Sequence, residues 1–250
     1  MNVGEEYKMR TVQDLVEHMK KYKDAVIIFG SNIDNCGQAL SKEEFNKSYT
    51  RKNLVRNPEC LWEYFLNEMY IEPSERVDRV KTEIEKMDNV VSAIVNQTMF
   101  YPNLNKSIPL HGSIDKFICS KCKTEYTIDY ITSKEPFEYE CELCDGHIRP
   151  TALLAGERYV KADLDAVKEA IKNTHTLFLV GMDYTEQALM EIISEYADVT
   201  SFNADTTEEE HMLIAVQNNE ESFDPNEMAF FHFIVKDDIS EAMKRLIKEF

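Results

Sequence analysis

A chain of 250 residues, 43% hydrophobic and 30% charged, has the material for one large domain or for a domain with an inserted lobe. Its 46 acidic and 28 basic side chains give a formal charge of −18, which repels phosphate backbones and argues against nucleic-acid binding. No apolar run approaches the ~18 residues that span a bilayer, and the charged opening Met1–Tyr22 lacks a signal-peptide core, so a cytoplasmic protein without membrane attachment is expected.

Thr11 to Lys23 opens with a capping threonine and sets Val12, Leu15, Val16 and Met19 on one helix face. The run Ala25-Val26-Ile27-Ile28-Phe29 then reads as a buried strand, and Gly30 ends it in a turn, the usual opening of a nucleotide-binding α/β unit. A helix carries Leu61, Trp62, Tyr64 and Phe65. Another begins at Pro73-Ser74, where a missing proline N–H costs nothing. Further strands are expected at 90–95, 177–180, 199–202 and 230–235, and helices at 162–172, 185–196 and 239–249. This alternation predicts an α/β fold, a Rossmann-like parallel sheet covered by helices on both faces.

The region from Gly112 to Arg149 breaks the rhythm and reads as a small inserted lobe, giving a division into 1–111 with 150–250, and 112–149. Within it, Cys119-x-x-Cys122 and Cys141-x-x-Cys144 are separated by 18 residues. Each pair can point two sulfurs at one place, and together they make the tetrahedral thiolate shell that zinc prefers. Four thiolates close the coordination sphere, so the metal is expected to be structural. The β-forming residues of 125–131 suit a zinc ribbon.

A four-cysteine ribbon inside such a scaffold, preceded by Leu110-His111-Gly112-Ser113, resembles the sirtuins. Arg149-Pro150-Thr151-Ala152-Leu153-Leu154-Ala155-Gly156-Glu157 is similar to the family's R-P-x-V-V-x-F-G-E segment. Pro58–Tyr64 resembles the helix after the cofactor loop, Val180-Gly181-Met182-Asp183 stands where sirtuins carry V-G-T-S, and Phe202-Asn203 where they carry I-N. The resemblance implies NAD at the strand ends and an NAD-dependent protein-lysine deacetylase or deacylase activity, with transfer of ADP-ribose as a related possibility. It makes His111 the general base, a role suited to a neutral imidazole. It implies that Leu153, Ala155, Gly156 and Glu157 receive a lysine-containing peptide as an added strand. Gly30, Ser31, Asn32, Asp34, Gln97, Gly181, Asp183 and Asn203 fall on the cofactor positions.

The chain also departs from the pattern. Asn32 stands where the family's G-A-G-x-S loop has a glycine, and Asp34 where it has a serine. A carboxylate ~4 Å from a phosphate is opposed by roughly 4 kcal/mol at an effective dielectric of ~20. Asn96-Gln97-Thr98-Met99-Phe100 keeps only the glutamine of Q-N-I-D, and Asp183 replaces a hydroxyl residue. These changes predict a weakened nicotinamide pocket, and they leave a silent nucleotide- or protein-binding module as the alternative to an enzyme.

Overall fold

The Ala25–Phe29 run is buried at all five positions, which a strand achieves only when helices cover both of its faces. In the computed structural model, residues 12–33, 41–70, 74–96, 104–134, 139–182, 187–202, 211–217 and 231–248 are described. Helix α1 (Val12–Tyr22) leads into this first strand, β1 (Ala25–Phe29), which ends in a 3-10 turn at Ser31–Ile33. Short helices α2 (Lys42–Ser48), α3 (Arg51–Arg56) and α4 (Pro58–Tyr64) follow, the last running on into a wide turn at Phe65–Met69. Then come α5 (Glu75–Glu85), β2 (Val91–Asn96) and β3 (Ser107–Pro109).

The inserted lobe holds β4 (Phe117–Cys119), β5 (Glu125–Tyr126), α6 (Ile128–Thr132) and β6 (Ile148–Pro150). The chain then returns through α7 (Lys161–Lys172), β7 (Thr176–Val180), α8 (Gln187–Phe202), β8 (Met212–Gln217), β9 (Phe233–Lys236) and α9 (Ile239–Lys248). No helix among the described residues is long and apolar enough to cross a membrane.

The large sheet has six strands in the order β3-β2-β1-β7-β8-β9, and every pairing is parallel. Alternate residues feed opposite cores. Ala25, Ile27, Phe29, Phe178 and Val180 pack with Leu15, Val77, Val80 and Met243 from α1, α5 and α9. Val26, Ile28, Leu177 and Leu179 pack with Val167, Ile171, Leu189 and Ile193 from α7 and α8. The sheet is thus covered on both faces, as the alternation of elements implied. The strand order reverses between β1 and β7, and that reversal opens a crevice at their carboxyl ends.

A third core joins the inserted lobe to the helices before it. Trp62, Phe65 and Leu61 pack with Phe117, Ile131, Tyr139 and Ile148. The Trp62 ring lies 4.1 Å from that of Tyr139 and 6.0 Å from that of Phe117.

Two local expectations are corrected. Residues 199–202, read as a strand for their valine, threonine and phenylalanine, are the last turn of α8. The apolar face of that helix, Leu189, Ile193, Tyr196 and Ala197, carries the helix past their β propensity. The strand in that place in the sheet is β8, buried at every position. In the lobe, the β-forming stretch 125–131 turns into α6 after two residues, because the Thr127 hydroxyl accepts the Tyr130 amide at 3.3 Å and caps a helix.

Candidate active site and metal centre

At the carboxyl ends of β1 and β7, two glycines let the backbones close on each other. A β-carbon on Gly30 would stand 2.1 Å from the Gly181 carbonyl oxygen, and one on Gly181 would stand 2.5 Å from the Ile33 side chain. Gly181 also has φ +56, a conformation that favours glycine. The Gly30 amide donates to Val180 O and the Asn32 amide to Gly181 O, both at 2.9 Å, while the Asn32 side-chain amide reaches Met182 O at 3.3 Å.

Gly30, Ser31, Asn32 and Gly181 therefore meet at the switch point of the sheet, where an α/β fold binds a dinucleotide. The place and the small residues fit such a ligand. Two amides of the turn are already bonded to β7 and its following residue and are not offered to a pyrophosphate. Asp34, Gln97, Asp183 and Asn203, assigned to the same site, lie outside the described residues.

A cavity of about 780 Å³ is lined by His111, Leu153, Ala155, Gly156 and Glu157 together with Phe45, Tyr159 and Arg158. His111 follows β3, and its carbonyl accepts the Leu153 amide at 2.9 Å. Gly112 comes next with φ +71, and a β-carbon there would stand 2.1 Å from Thr151 O, so only glycine brings the two segments this close. The Ser113 carbonyl accepts the Ala152 amide at 2.9 Å and the Thr151 hydroxyl at 3.2 Å. The histidine is therefore held directly against the Leu153–Glu157 stretch.

That stretch is itself braced. The Ala155 amide donates to Tyr49 O at 2.8 Å, and Thr50 and Ala155 form a parallel bridge. The Tyr49 hydroxyl donates to Ala152 O at 3.3 Å, and burial pushes its phenol far above the ordinary range. Gly156 has φ +79 and open space around it, and Glu157 turns inward to Arg149.

Sequence reading missed Tyr159. Its hydroxyl lies 3.1 Å from His111 Nε2, with the two ring centroids 5.5 Å apart and the planes inclined by 24°. Two residues beyond the Gly156-Glu157 pair and with no periodic pattern, it gave no signal; only the folded chain brings it to the histidine.

In the lobe, the sulfurs of Cys119, Cys122, Cys141 and Cys144 all lie within 4.8 Å of one another. Cys119 and Cys144 are 3.6 Å apart and Cys122 and Cys141 3.5 Å, far beyond a disulfide bond. A tetrahedron with Zn–S of about 2.3 Å has edges of roughly 3.8 Å, so four thiolates here fit one such ion. The Tyr126 hydroxyl donates to Cys141 Sγ at 2.9 Å and the Lys121 amide to Cys119 Sγ at 3.4 Å, which aims the sulfurs inward. Gly146 must be small, since a β-carbon would stand 2.6 Å from Cys119 Sγ. Thr124 beside Cys122 draws that thiol down to about 6, and desolvation pushes Cys144 up to about 12.

The family model described as the Sir2 family matches residues 38–185. The chain is 29% identical over 104 residues to an NAD-dependent protein deacetylase of Staphylococcus epidermidis, covering 41% of this chain and 42% of that protein. It is 27% identical over 116 residues to an NAD-dependent protein deacylase of Corynebacterium glutamicum, covering 45% and 42%. The matches thus span about two fifths of the length of these curated relatives. Among solved structures, one on the mechanism and regulation of Sir2 enzymes superposes with a TM-score of 0.70 at 18% identity, covering 95% of this chain and 96% of that one. Sir2Tm bound to a propionylated peptide gives 0.67 at 14%, covering 96% and 98%. Sir2Af2 bound to a myristoylated histone peptide gives 0.64 at 22%, covering 95% of each chain. At these identities the superpositions show the fold.

Proposed function

The chain belongs to the Sir2 family, and from that premise we propose that it is an NAD-dependent protein-lysine deacylase with His111 as general base. The observation that carries this reading is the shared cavity, in which His111 and the Leu153–Glu157 stretch face one space of about 780 Å³. That size lies within the ~300–1,000 Å³ usual for ligand sites. Two of the solved structures named above, Sir2Tm and Sir2Af2, are bound to a propionylated and a myristoylated peptide, and the same chemistry is proposed here for a lysine-containing peptide laid along residues 153–157.

NAD, when bound, supplies an electrophilic ribose carbon and nicotinamide as its leaving group. The chain's own part is threefold. Gly30–Asn32 and Gly181 shape the floor at the strand ends, the 153–157 backbone orients the peptide, and the His111 imidazole accepts a proton from a ribose hydroxyl. Cys119, Cys122, Cys141 and Cys144 hold a structural zinc, which supports the core that Trp62 shares with the lobe. The chain divides into a nucleotide-binding part, 1–111 with 150–250, and a metal lobe, 112–149, against which α4 of the first part packs.

The altered loop favours a second reading, a module that binds nucleotide or protein without turnover. Its specific support is the Asn32 amide, which is already bonded to Gly181 O at 2.9 Å and so is not offered to a phosphate. Calorimetric titration with NAD and with ADP-ribose separates the two. Micromolar NAD binding accompanied by peptide-dependent release of nicotinamide supports the enzyme. ADP-ribose binding alone, or no binding at millimolar ligand, supports the module.

A further inference from the structure

We propose that Tyr159 is the positioning residue of His111: its hydroxyl fixes the orientation of the imidazole and holds it in one tautomer. The inference rests on the reading of His111 as the base. It starts from the 3.1 Å contact between Tyr159 Oη and His111 Nε2 and from the near-parallel rings, 5.5 Å apart. A hydroxyl can donate to a bare ring nitrogen or accept from a protonated one, so the bond can be made in either sense. His111 serves as a base only in the second sense, in which Nε2–H donates to the Tyr159 hydroxyl oxygen and the lone pair stays on Nδ1, and that is the tautomer assigned.

Both partners are anchored by other bonds, so the contact is not the chance meeting of two loose side chains. On the histidine side, the His111 carbonyl accepts the Leu153 amide, and Gly112 fits only against Thr151 O. On the tyrosine side, Glu157 is fixed two residues earlier by Arg149 and by the Leu154 amide. Val160, one residue later, begins α7, its carbonyl accepting the Asp163 and Leu164 amides at 3.0 and 3.1 Å. The Tyr159 ring itself packs against the core formed by Val167, Leu177 and Leu189. The hydroxyl is therefore presented to Nε2 by a short segment clamped at both ends, as second-layer partners present themselves to functional histidines elsewhere.

A neutral hydrogen bond favours the bonded ring orientation over an unbonded one by roughly fivefold. A base needs its lone pair on the nitrogen that faces the substrate, so losing this bias lowers kcat without weakening peptide binding.

Long-range proton–nitrogen NMR on the zinc-loaded full chain, with labelled histidine, reads the tautomer of His111 directly; His111→Gln assigns the signal. Wild-type protein is expected to show one dominant tautomer above pH 8. Tyr159→Phe, which keeps the ring and removes the hydroxyl, is expected to move both ring-nitrogen shifts toward averaged values. With an acyl-peptide, the same variant is expected to lose up to about fivefold in kcat at an unchanged KM. Averaged shifts in the wild type, or a spectrum that Tyr159→Phe leaves unchanged, overturns the proposal. Should Tyr159→Phe fail to fold, the wild-type spectrum alone decides. Because the spectrum needs no turnover, a shift without deacylation would count against the enzyme reading and not against the role of Tyr159.

Discussion

Arg149 and Glu157 close on each other at 2.7 Å with 15% and 13% of their side chains exposed, and the same carboxylate oxygen accepts the Leu154 amide at 2.9 Å. Arg51 reaches the other oxygen at 3.2 Å, but its side chain is 81% exposed and adds little. The pair ties β6 of the metal lobe to the end of the stretch proposed to receive the peptide.

Removing one member of this pair leaves the other buried without its charge partner. Glu157→Ala is therefore expected to destabilise the chain by about 3 kcal/mol, whereas Glu157→Gln retains an acceptor for the Leu154 amide and costs less. Urea denaturation of the two variants beside the wild type checks the order. Equal stability of all three would show that the pair contributes nothing.

The chain's single tryptophan makes the metal lobe visible in solution. Trp62 is 1% exposed and packs on Tyr139 and Phe117, whose neighbours along the chain include Cys141 and Cys119. One zinc per chain is expected by elemental analysis. Chelation, or acidification that protonates the thiolates, is expected to release it and to shift Trp62 emission to the red. Cys119→Ser should reproduce that shift without chelator. Unchanged emission from a metal-free chain would mean that this core stands without zinc.

Gly181 carries the closest approach at the switch point. Gly181→Ala places a methyl 2.5 Å from the Ile33 side chain and 2.8 Å from its backbone nitrogen, at φ +56. A loss of roughly 2 kcal/mol is expected, which at this size lowers the melting temperature by about 4–8 °C. Calorimetric melting reads it directly, and an unchanged midpoint would refute the packing argument.

Much of the fold could be read from residue order because the physics there is local. An apolar five-residue run before Gly30 is a buried strand in nearly any context, and two C-x-x-C pairs have few uses in a reducing environment. The misreadings arose where distant packing decides. Val199 and Phe202 favour a strand locally, yet they end a helix whose buried face begins at Leu189. Leu213–Val216 is as apolar as β1, but it has no glycine turn to announce it, and its strand character shows in its pairing with β7. At the candidate site, His111 was singled out by its flanking residues, and the chain folds it against Leu153. Tyr159 was not singled out, since its place depends on the anchoring of Glu157 and the start of α7. Of the cofactor positions named from the sequence, Gly30, Asn32 and Gly181 meet at one crevice.

The most direct test of the account is nicotinamide release from NAD in the presence of an acyl-lysine peptide panel, comparing the zinc-loaded chain with His111→Ala. The account predicts peptide-dependent release by the wild type and a fall of roughly 10²–10⁴-fold in kcat for the variant, with NAD affinity retained. Equal steady-state release by both proteins, sustained over many turnovers, would remove His111 from its role as base. No release by the wild type at millimolar NAD, across the panel, would contradict the deacylase reading and leave the binding module.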